Sequence, residues 1–512
     1  MLIGTDQWRG DSLSILGKPV LRTPFLDELA STGTVMTRAY SPCPTCIAAR
    51  MSLLSGTLPQ THGRVGYEDG ITFDAATSMA KAFGDAGFQT QAIGKMHVYP
   101  ERNRAGFDNV VLHDGYLHHS LKGRPDPRFY DDYTVWLKGA SDAQDTAGEY
   151  GNGAHCNAVP ARPWDRPEYQ HPTNWATDRA IDWLYQRDPD APFFLFLSYH
   201  RPHAPYDPPR WAFDMYRNKD FPDAPRGNWE ESFLREHRNN ASPQSLVADY
   251  PKEVRDDALA GYYGNMTHLD AQIKRFLEAL NDFDLADDTI VCFTSDHGDM
   301  MGDHGLWRKG LPYQGSSSIP MIFQGPGIAA GQHQESLMDL TDVPATLLDL
   351  AGVPVPKEMD SLSYADVLRD HSPSTADQPP YPIPTPSLES IELAPQVREH
   401  LHGEHHTFGQ SLQWILWRNF KYVWWSKEGR EQLFDLAADP DELVDLLLET
   451  DLDANSDSGE STAEALAACR SLLTQELEGR PEGFVENGQL IAGRESGPYF
   501  KRTEDQLKRK ED

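Results

Sequence analysis

Short apolar runs alternate with longer helical patterns through the first 350 residues of the chain. Each run is apolar on both faces and is followed by polar or glycine-rich residues, as expected of a buried strand. The runs lie at 2–5, 90–93, 193–198, 289–294 and 321–324. Because helical patterns separate these strands, we predict an α/β fold with a mostly parallel sheet sandwiched by helices.

Polar side chains of the types that take part in catalysis or ligand binding follow four of these predicted strands. Asp6 and Gln7 follow the first, Gly-Lys-Met-His at 94–97 the second, His-Arg-Pro-His at 200–203 the third and Asp-His-Gly-Asp at 296–299 the fourth. In open α/β sheets, ligands bind beyond the carboxyl ends of the strands. The pattern therefore predicts one functional site at that edge of the sheet.

The chain changes character after about residue 370. A run rich in proline and serine predicts a linker or an extended surface strap. Beyond it, 412–417 and 421–426 predict two strands joined by a tight turn, 441–449 a helix, and 451–462 an acidic solvated loop. We expect a large domain, the linker and a smaller C-terminal α+β subdomain, at 1–370, 371–390 and 391–512.

Composition and charge narrow the possible partners. The chain carries 46 Lys and Arg against 78 Asp and Glu, a formal net charge of −32. Phosphates would be repelled by this charge, so we expect neither a nucleic acid nor an anionic membrane as partner. Hydrophobic residues make up 39% and include 12 Trp, which is enough for a packed core. The five cysteines do not suggest a disulfide scaffold.

Localisation is predicted from the absence of long apolar runs. None approaches the roughly 18 residues that cross a bilayer, and no basic region followed by an apolar one opens the chain. We expect a soluble protein that is cytoplasmic as given. The sequence begins almost directly with a predicted strand. If a signal peptide precedes this strand, we expect a periplasmic or secreted protein.

The most informative segment spans 41–56. Cys43 and Cys46 form a CxxC pair, but no second pair completes a tetrahedral zinc site. Arg50 lies four residues after Cys46, at the start of a predicted helix. A cysteine-derived group at that helix N-terminus would meet both the positive end of the helix dipole and a guanidinium. The segment therefore predicts an anion site built around a nucleophile.

In these residues the chain resembles the sulfatase family of the alkaline-phosphatase-like superfamily. Its signature, Cys-x-Pro/Ala-x-Arg, is matched from Cys46 through Ala48 to Arg50, with Leu, Ser and Gly following at 53, 55 and 56. Other elements similar to the family recur in order: Asp6-Gln7, Gly94-Lys95-Met96-His97, Pro202-His203-Ala204-Pro205, Asp296-His297-Gly298-Asp299, and Lys309 with Tyr313. The resemblance covers most of the chain and implies the alkaline-phosphatase-like fold.

The resemblance also implies a catalytic apparatus. Cys46 would be oxidised to formylglycine by a maturation enzyme, and its hydrate would be the nucleophile. Catalysis would involve Cys46, Arg50, Lys95, His97, His203 and Lys309. A divalent cation would be held by Asp6, Gln7, Cys46, Asp296 and His297. Calcium is the family expectation, and one imidazole among oxygen ligands makes Mn2+ or Mg2+ the alternative.

Specific roles follow from the same resemblance. Arg50, Lys95 and Lys309 would hold the sulfuryl oxygens and the nucleophile. His203 would donate a proton to the departing alcohol. His97 would accept a proton from the second hydroxyl of the hydrate, so that sulfate is released by C–O cleavage.

Three positions depart from the commonest pattern and keep alternatives open. Ala48 replaces proline, which leaves the choice of maturation system open, while Gln7 and His297 replace an aspartate and an asparagine. Such sets occur in bacterial carbohydrate sulfatases and in phosphonate monoester hydrolases. We expect hydrolysis of a sulfate monoester, on a carbohydrate or an aryl group. The alternatives are a phosphonate monoester or phosphodiester hydrolase and a non-catalytic cation-binding protein.

Other polar residues receive weaker predictions. His304 is expected in a supporting position only, whereas His200 and Arg201 adjoin the site. The His-Gly-Glu-His-His run at 402–406 has the spacing of metal ligands, but we interpret it as a polar subdomain edge near the cleft.

Overall fold

The computed structural model describes residues 1–115, 131–140, 155–369, 397–448 and 461–500. The predicted linker at 371–390 and nearly all of the predicted acidic loop lie outside these residues. The strands are β1 Leu2–Asp6, β2 Thr34–Met36, β3 Ala39–Tyr40, β4 Gln89–Gly94, β5 Asn109–Leu112, β6 Phe193–Pro202, β7 Val291–Ser295, β8 Met321–Gln324, β9 Gln332–Gln334, β10 Met338–Asp339, β11 His400–Thr407, β12 Gln410–Trp417, β13 Phe420–Trp425, β14 Arg430–Asp435, β15 Val485–Glu486 and β16 Gln489–Leu490. The helices are α1 Pro24–Ser31, α2 Cys46–Ser55, α3 Pro59–His62, α4 Met79–Asp85, α5 Asp132–Ala140, α6 Pro172–Gln186, α7 Arg210–Tyr216, α8 Glu230–His237, α9 Lys252–Asp282, α10 Gln314–Ser317, α11 Val343–Leu350, α12 Ala365–Leu368 and α13 Thr462–Leu477.

The central feature is an eight-stranded sheet in the order β5-β4-β6-β1-β7-β8-β2-β9. All neighbouring strands are parallel except at β8, which runs antiparallel to both β7 and β2. Successive side chains of a strand point to opposite faces, so Ile3 joins a core with α1, α6 and α9 while Leu2 joins one with α2, α4 and α11. Helices on both faces explain why the strands are apolar throughout, and the predicted fold class is confirmed.

The order of the strands brings the predicted site residues together. β4, β6, β1 and β7 are consecutive neighbours and run parallel, so their carboxyl ends share one edge. Gly94 on β4 and Gly4 on β1 both pair with Ser198 on β6. The four polar segments that follow these strands therefore meet at a single edge.

A separate four-stranded antiparallel sheet, β11 to β14, forms the C-terminal part. One of its faces packs on α13 through Tyr422, Leu433 and Leu473. Its other face packs on the loop after β7, where Trp414 and Tyr313 share a core. This sheet thus supports the loop that carries Lys309.

The predicted helix over 441–449 is wrong, because only one 3-10 turn forms in its described part, at Leu446–Leu448. Glu442 is buried, adopts a positive φ of 55°, and accepts a hydrogen bond from Lys421 Nζ at 2.7 Å. Asp445 accepts one from the Leu433 amide at 3.1 Å. These side chains fix the segment against the sheet in a non-helical path.

We find no helix in the described part of the chain that is both long enough and apolar enough to span a bilayer.

Candidate active site

Cys46 is the first residue of α2, and its side chain is buried. Its thiol lies 3.2 Å from Lys309 Nζ, 3.3 Å from His297 Nε2 and 3.7 Å from Asp6 Oδ1. Burial and the Asp6 carboxylate raise the pKa of Cys46, but Lys309, Lys95 and His297 outweigh them and hold it below its ordinary value. The position combines a helix N-terminus with nearby positive charge, which suits an anionic ligand.

Two buried carboxylates face a common point beside Cys46. Asp6 accepts from Lys95 Nζ through Oδ2, and Asp296 accepts from Arg50 Nε through Oδ2 at 2.8 Å. Their Oδ1 atoms lie 3.5 Å and 3.6 Å from the same His297 nitrogen. Each carboxylate therefore uses one oxygen for a protein cation and turns the other towards the shared point.

The tautomer of His297 fits a ligand at that point. Its Nδ1 lies 2.9 Å from the Gly298 carbonyl oxygen, which can only accept, so Nδ1 carries a proton and Nε2 is the nitrogen left for a ligand. The candidate ligand atoms of Asp6, Cys46, Asp296 and His297 all lie within 4.8 Å of one another. These residues fit a divalent cation bound by oxygen atoms and one imidazole.

Gln7 is connected to the cluster by its backbone N–H group and by Lys309. The backbone of Gln7 adopts a left-handed conformation with φ 72°, and its backbone N–H donates to Asp296 Oδ1 at 3.1 Å. The side-chain Oε1 accepts from Lys309 Nζ at 2.8 Å. Lys309 thus bridges Gln7 and Cys46.

Arg50 lies one helical turn after Cys46 and is buried. Its guanidinium donates to the Lys95 carbonyl at 2.7 Å and to Ser198 Oγ at 2.9 Å, besides its bond to Asp296. Although burial disfavours the charged form, Asp296 and Asp6 raise the pKa of Arg50. The cation is therefore permanent and held in a fixed orientation.

The two predicted proton-transfer histidines also lie at this edge. His203 donates its backbone N–H to the Asp6 carbonyl at 3.0 Å, and its Nδ1 lies 2.7 Å from the Ala204 carbonyl oxygen, which leaves Nε2 as an acceptor. Burial, then Lys309, lowers the pKa of His203 well below its ordinary value. The buried His97 has its backbone N–H bonded to Asp114 at 2.9 Å, and its ring lies 6.3 Å from that of Tyr67.

Several other residues prove to have structural partners. His304 bonds Glu230 at 3.0 Å, and Arg201 forms a bidentate pair with Asp207 at 2.8 and 3.0 Å. Each of these side chains is therefore held by a partner of its own.

The 402–406 run lies on β11, where Glu404 pairs with Arg480 at 2.7 Å. The one potential metal-binding group of His, Cys, Asp and Glu in the described residues is the Asp6 cluster. Within this run, His405 packs its buried ring against Gly310, next to Lys309.

The two thiols of the CxxC pair differ in the direction of their pKa shifts. All five cysteines are free and buried. Burial, with the nearby Glu404 carboxylate, raises the pKa of Cys43 well above its ordinary value, whereas that of Cys46 is lowered. The opposite shifts distinguish the surroundings of Cys46 from those of Cys43.

Sequence analysis assigned no role to three residues around the site: Ser198, which binds Arg50; Asp299, which binds Gln7; and Tyr206, which binds Asp299. Asp299 carries a signal, since it belongs to the Asp-His-Gly-Asp run. Ser198 could have been found from its place at the end of a predicted strand. We find no comparable sequence signal for Tyr206.

Comparison with known proteins identifies the family to which the chain belongs. The Sulfatase family model matches residues 1–353. An arylsulfatase of Clostridium perfringens is 38% identical over 502 residues, covering 96% of this chain and 97% of that relative.

Among solved structures, the phosphonate monoester hydrolase of Agrobacterium radiobacter superposes with a TM-score of 0.71 at 24% identity, over 92% of this chain and 95% of that one. A protein solved with its substrate D-glucosamine-2-N,6-O-disulfate superposes with a TM-score of 0.67 at 20% identity, over 93% of this chain and 97% of that one. These two similarities show the fold, whereas the family match and the Clostridium relative cover the site residues in sequence. The chain therefore belongs to the sulfatase family, and it is a hydrolase that acts on sulfate esters.

Proposed function

We propose that the protein hydrolyses a sulfate monoester carried on an aryl group or a carbohydrate, with residue 46 acting as formylglycine beside a divalent cation. The observation that carries this proposal is the surroundings of Cys46. One cluster of contacting side chains brings together the nucleophile position, two carboxylates, an imidazole and three protein cations, Arg50, Lys95 and Lys309.

Asp6, Gln7, Asp296 and His297, with residue 46, would hold the cation, for which Ca2+ is the first choice and Mn2+ or Mg2+ the alternative. When bound, a divalent cation supplies positive charge against a sulfuryl oxygen and favours loss of a proton from a neighbouring hydroxyl. The Lys95 ammonium paired with Asp6 keeps that carboxylate ionised for this purpose. Burial raises the pKa of Asp6, but Lys95 and its neighbours hold it well below its ordinary value.

Residue 46 requires conversion by a formylglycine-generating maturation enzyme, and the hydrated aldehyde then supplies a hydroxyl nucleophile that a thiol lacks. Arg50 and Lys95 are already fixed by hydrogen bonds before substrate arrives. Preorganised donors of this kind stabilise charge on the sulfuryl oxygens without reorganisation during the reaction. Lys309, which bonds the residue 46 side chain, would orient the nucleophile.

Three protons have to move. The attacking hydroxyl of residue 46 gives up the first, which we assign to Asp296. As the ester S–O bond breaks, the departing oxygen takes a proton, which we assign to His203 Nε2. In the free protein burial, followed by the neighbouring lysines, favours neutral His203. The negative charge of a bound sulfate ester would favour the protonated form that donates. His97 would take the proton from the second hydroxyl of residue 46, which allows sulfate to leave by C–O cleavage.

Tyr67 supports a ring-bearing leaving group. Its ring is 42% exposed beside His97, and its hydroxyl donates to both carboxylate oxygens of Asp69 at 3.2 Å. Burial, followed by Asp69 and Cys46, raises the pKa of Tyr67. A fixed, exposed aromatic face at this position would stack on an aryl or sugar ring.

The second candidate is hydrolysis of a phosphonate monoester or phosphodiester by the same residues, which the Gln7 and His297 pair permits. Parallel kinetics with 4-nitrophenyl sulfate and 4-nitrophenyl phenylphosphonate, on protein produced with a formylglycine-generating enzyme, separate the two. We expect the larger kcat/KM for the sulfate ester. A larger value for the phosphonate would transfer the proposal to the second candidate. Absence of both activities in fully converted protein would contradict an aryl ester as the substrate.

A further inference from the structure

Asp299 is a buried carboxylate whose side-chain oxygens are all occupied by donors, although it is not a member of the cation cluster. Its Oδ1 accepts the backbone N–H groups of Met301 and Arg308, both at 2.9 Å. Its Oδ2 accepts the Tyr206 hydroxyl at 2.8 Å and the side-chain amide of Gln7. Four donors from three segments therefore fix its position.

The hydrogen bonds leave Gln7 one orientation. An ionised carboxylate can only accept, so Gln7 must turn its NH2 group towards Asp299. Lys309 can only donate, and it bonds the other end of the same amide at 2.8 Å. Reversing the amide would place NH2 against the Lys309 ammonium and oxygen against the Asp299 carboxylate. Both contacts would then be repulsive.

We infer that Asp299 is a positioning residue, which orients the Gln7 amide so that its oxygen, and not its NH2 group, lies on the side of Lys309 and Cys46. The inference rests on the proposed cation site and adds a residue that acts on the cation only through Gln7. Supporting residues that orient a ligand typically change metal affinity by about 10- to 100-fold when they are replaced.

Replacing Asp299 by asparagine tests the inference, because it keeps the shape and reverses the hydrogen bonding. The new amide would keep its oxygen on the two backbone N–H groups and turn its NH2 towards Gln7. Gln7 would then reverse and lose its oxygen as a cation ligand. In D299N we expect the affinity for Ca2+, Mn2+ or Mg2+, whichever the wild type binds most tightly, to fall about 10- to 100-fold. Titration calorimetry on chelator-treated protein measures it without any turnover.

A second substitution should restore binding. In Q7E/D299N, the introduced glutamate accepts from the NH2 of the introduced asparagine with one oxygen and presents the other to the cation, so affinity should return to within about threefold of wild type. In Q7E alone, two carboxylates meet, so this variant should bind the cation more weakly than the double variant, although both carry the same glutamate. Tyr206→Phe is the matched control, because it removes a donor from Asp299 without reversing Gln7, and its affinity should stay within about threefold.

The outcomes separate this inference from the proposed function. If the wild type binds none of Ca2+, Mn2+ and Mg2+, the proposed cation site fails. If it binds and D299N binds equally well, only the role of Asp299 is overturned. Should D299N not fold, the comparison of Q7E with Q7E/D299N still decides, since equal or tighter binding by Q7E contradicts the inference. Thermal melting of the metal-free variants shows which of them are folded.

Discussion

His203 is the residue whose importance should depend most on the substrate. Its ring lies in the pocket with Nδ1 bonded to the Ala204 carbonyl, so Nε2 is the atom available to a leaving group. Protonation matters most for a basic leaving group and least for a nitrophenolate. For His203→Ala we expect kcat/KM to fall about 100- to 10,000-fold with an alkyl or sugar sulfate. With 4-nitrophenyl sulfate, the factor by which kcat/KM falls should be at least tenfold smaller. Equal losses with both esters, measured by sulfate release, would contradict the role of proton donor.

Tyr67 should affect substrate binding through its ring. Because aromatic pairs contribute about 0.5–1.5 kcal/mol, Tyr67→Ala should raise KM for an aryl sulfate about three- to tenfold with a smaller change in kcat. Tyr67→Phe keeps the ring and loses the bond to Asp69, and it is expected to retain a KM near that of the wild type. Steady-state kinetics of both variants check this. A KM unchanged in Tyr67→Ala would show that the leaving group lies elsewhere.

At the residue scale, the sequence was informative where a motif follows a strand and uninformative where remote segments meet. The cluster of Asp6, Asp296 and His297 was predictable from strand ends that share an edge. The support of Gln7 by Asp299 was not, because the two residues are 292 positions apart and only the fold brings them together. The orientation of Arg50 by Ser198 also depends on a register between strands that the sequence does not display.

At the scale of elements, α1 depends on a carboxylate from α9. Thr23, at its N-cap, makes no side-chain capping bond, and the free N–H groups of Phe25 and Leu26 donate to Asp270 at 3.2 and 2.7 Å. Burial raises the pKa of Asp270 to about 7, although the two N–H groups oppose this shift. The native state therefore holds a proton that the unfolded chain releases near its ordinary pKa of 3.8.

A group with a raised pKa stabilises the fold at low pH and loses that contribution as pH rises through its folded pKa. The contribution of Asp270 to the free energy of unfolding should therefore fall by about 2–3 kcal/mol from pH 5 to pH 8. Urea unfolding of Asp270→Asn should lack this component, whereas the exposed control Asp287→Asn should keep the wild-type slope. Identical slopes in Asp270→Asn and the wild type would contradict the raised pKa.

Element positions were predictable from apolar runs, but directions and some helices were not. The run at 321–324 is a strand, yet β8 runs against its neighbours, and run length carries no direction. The helix α13, in contrast, was not predicted from the sequence. It is fixed by a capping box between Ser461 and Glu464 and by its packing on the C-terminal sheet. The predicted acidic loop extends to residue 462, which is where this helix begins.

The whole molecule is strongly acidic, with a formal net charge of −32, while Arg50, Lys95 and Lys309 concentrate positive charge around the proposed active site. A small monosulfate needs to reach only the pocket, whereas a polysulfated chain must also approach the acidic surface. Raising the ionic strength from about 0.01 M to 0.15 M shortens the Debye length from about 30 Å to 8 Å. We expect kcat/KM for a polysulfated saccharide to rise several-fold across this range, relative to that for 4-nitrophenyl sulfate. A fall for the saccharide would show that a local basic surface guides it instead.

The account of the whole molecule centres on residue 46, and one measurement addresses it most directly. Protein produced with graded amounts of a formylglycine-generating enzyme would be digested with trypsin, and the peptide from Ala39 to Arg50 weighed to obtain the fraction of Cys46 converted to the aldehyde. Sulfate release from 4-nitrophenyl sulfate would be measured on the same samples. We predict turnover in direct proportion to the converted fraction, with none in Cys46→Ala. Turnover that is independent of conversion, or absent at full conversion, would contradict the account.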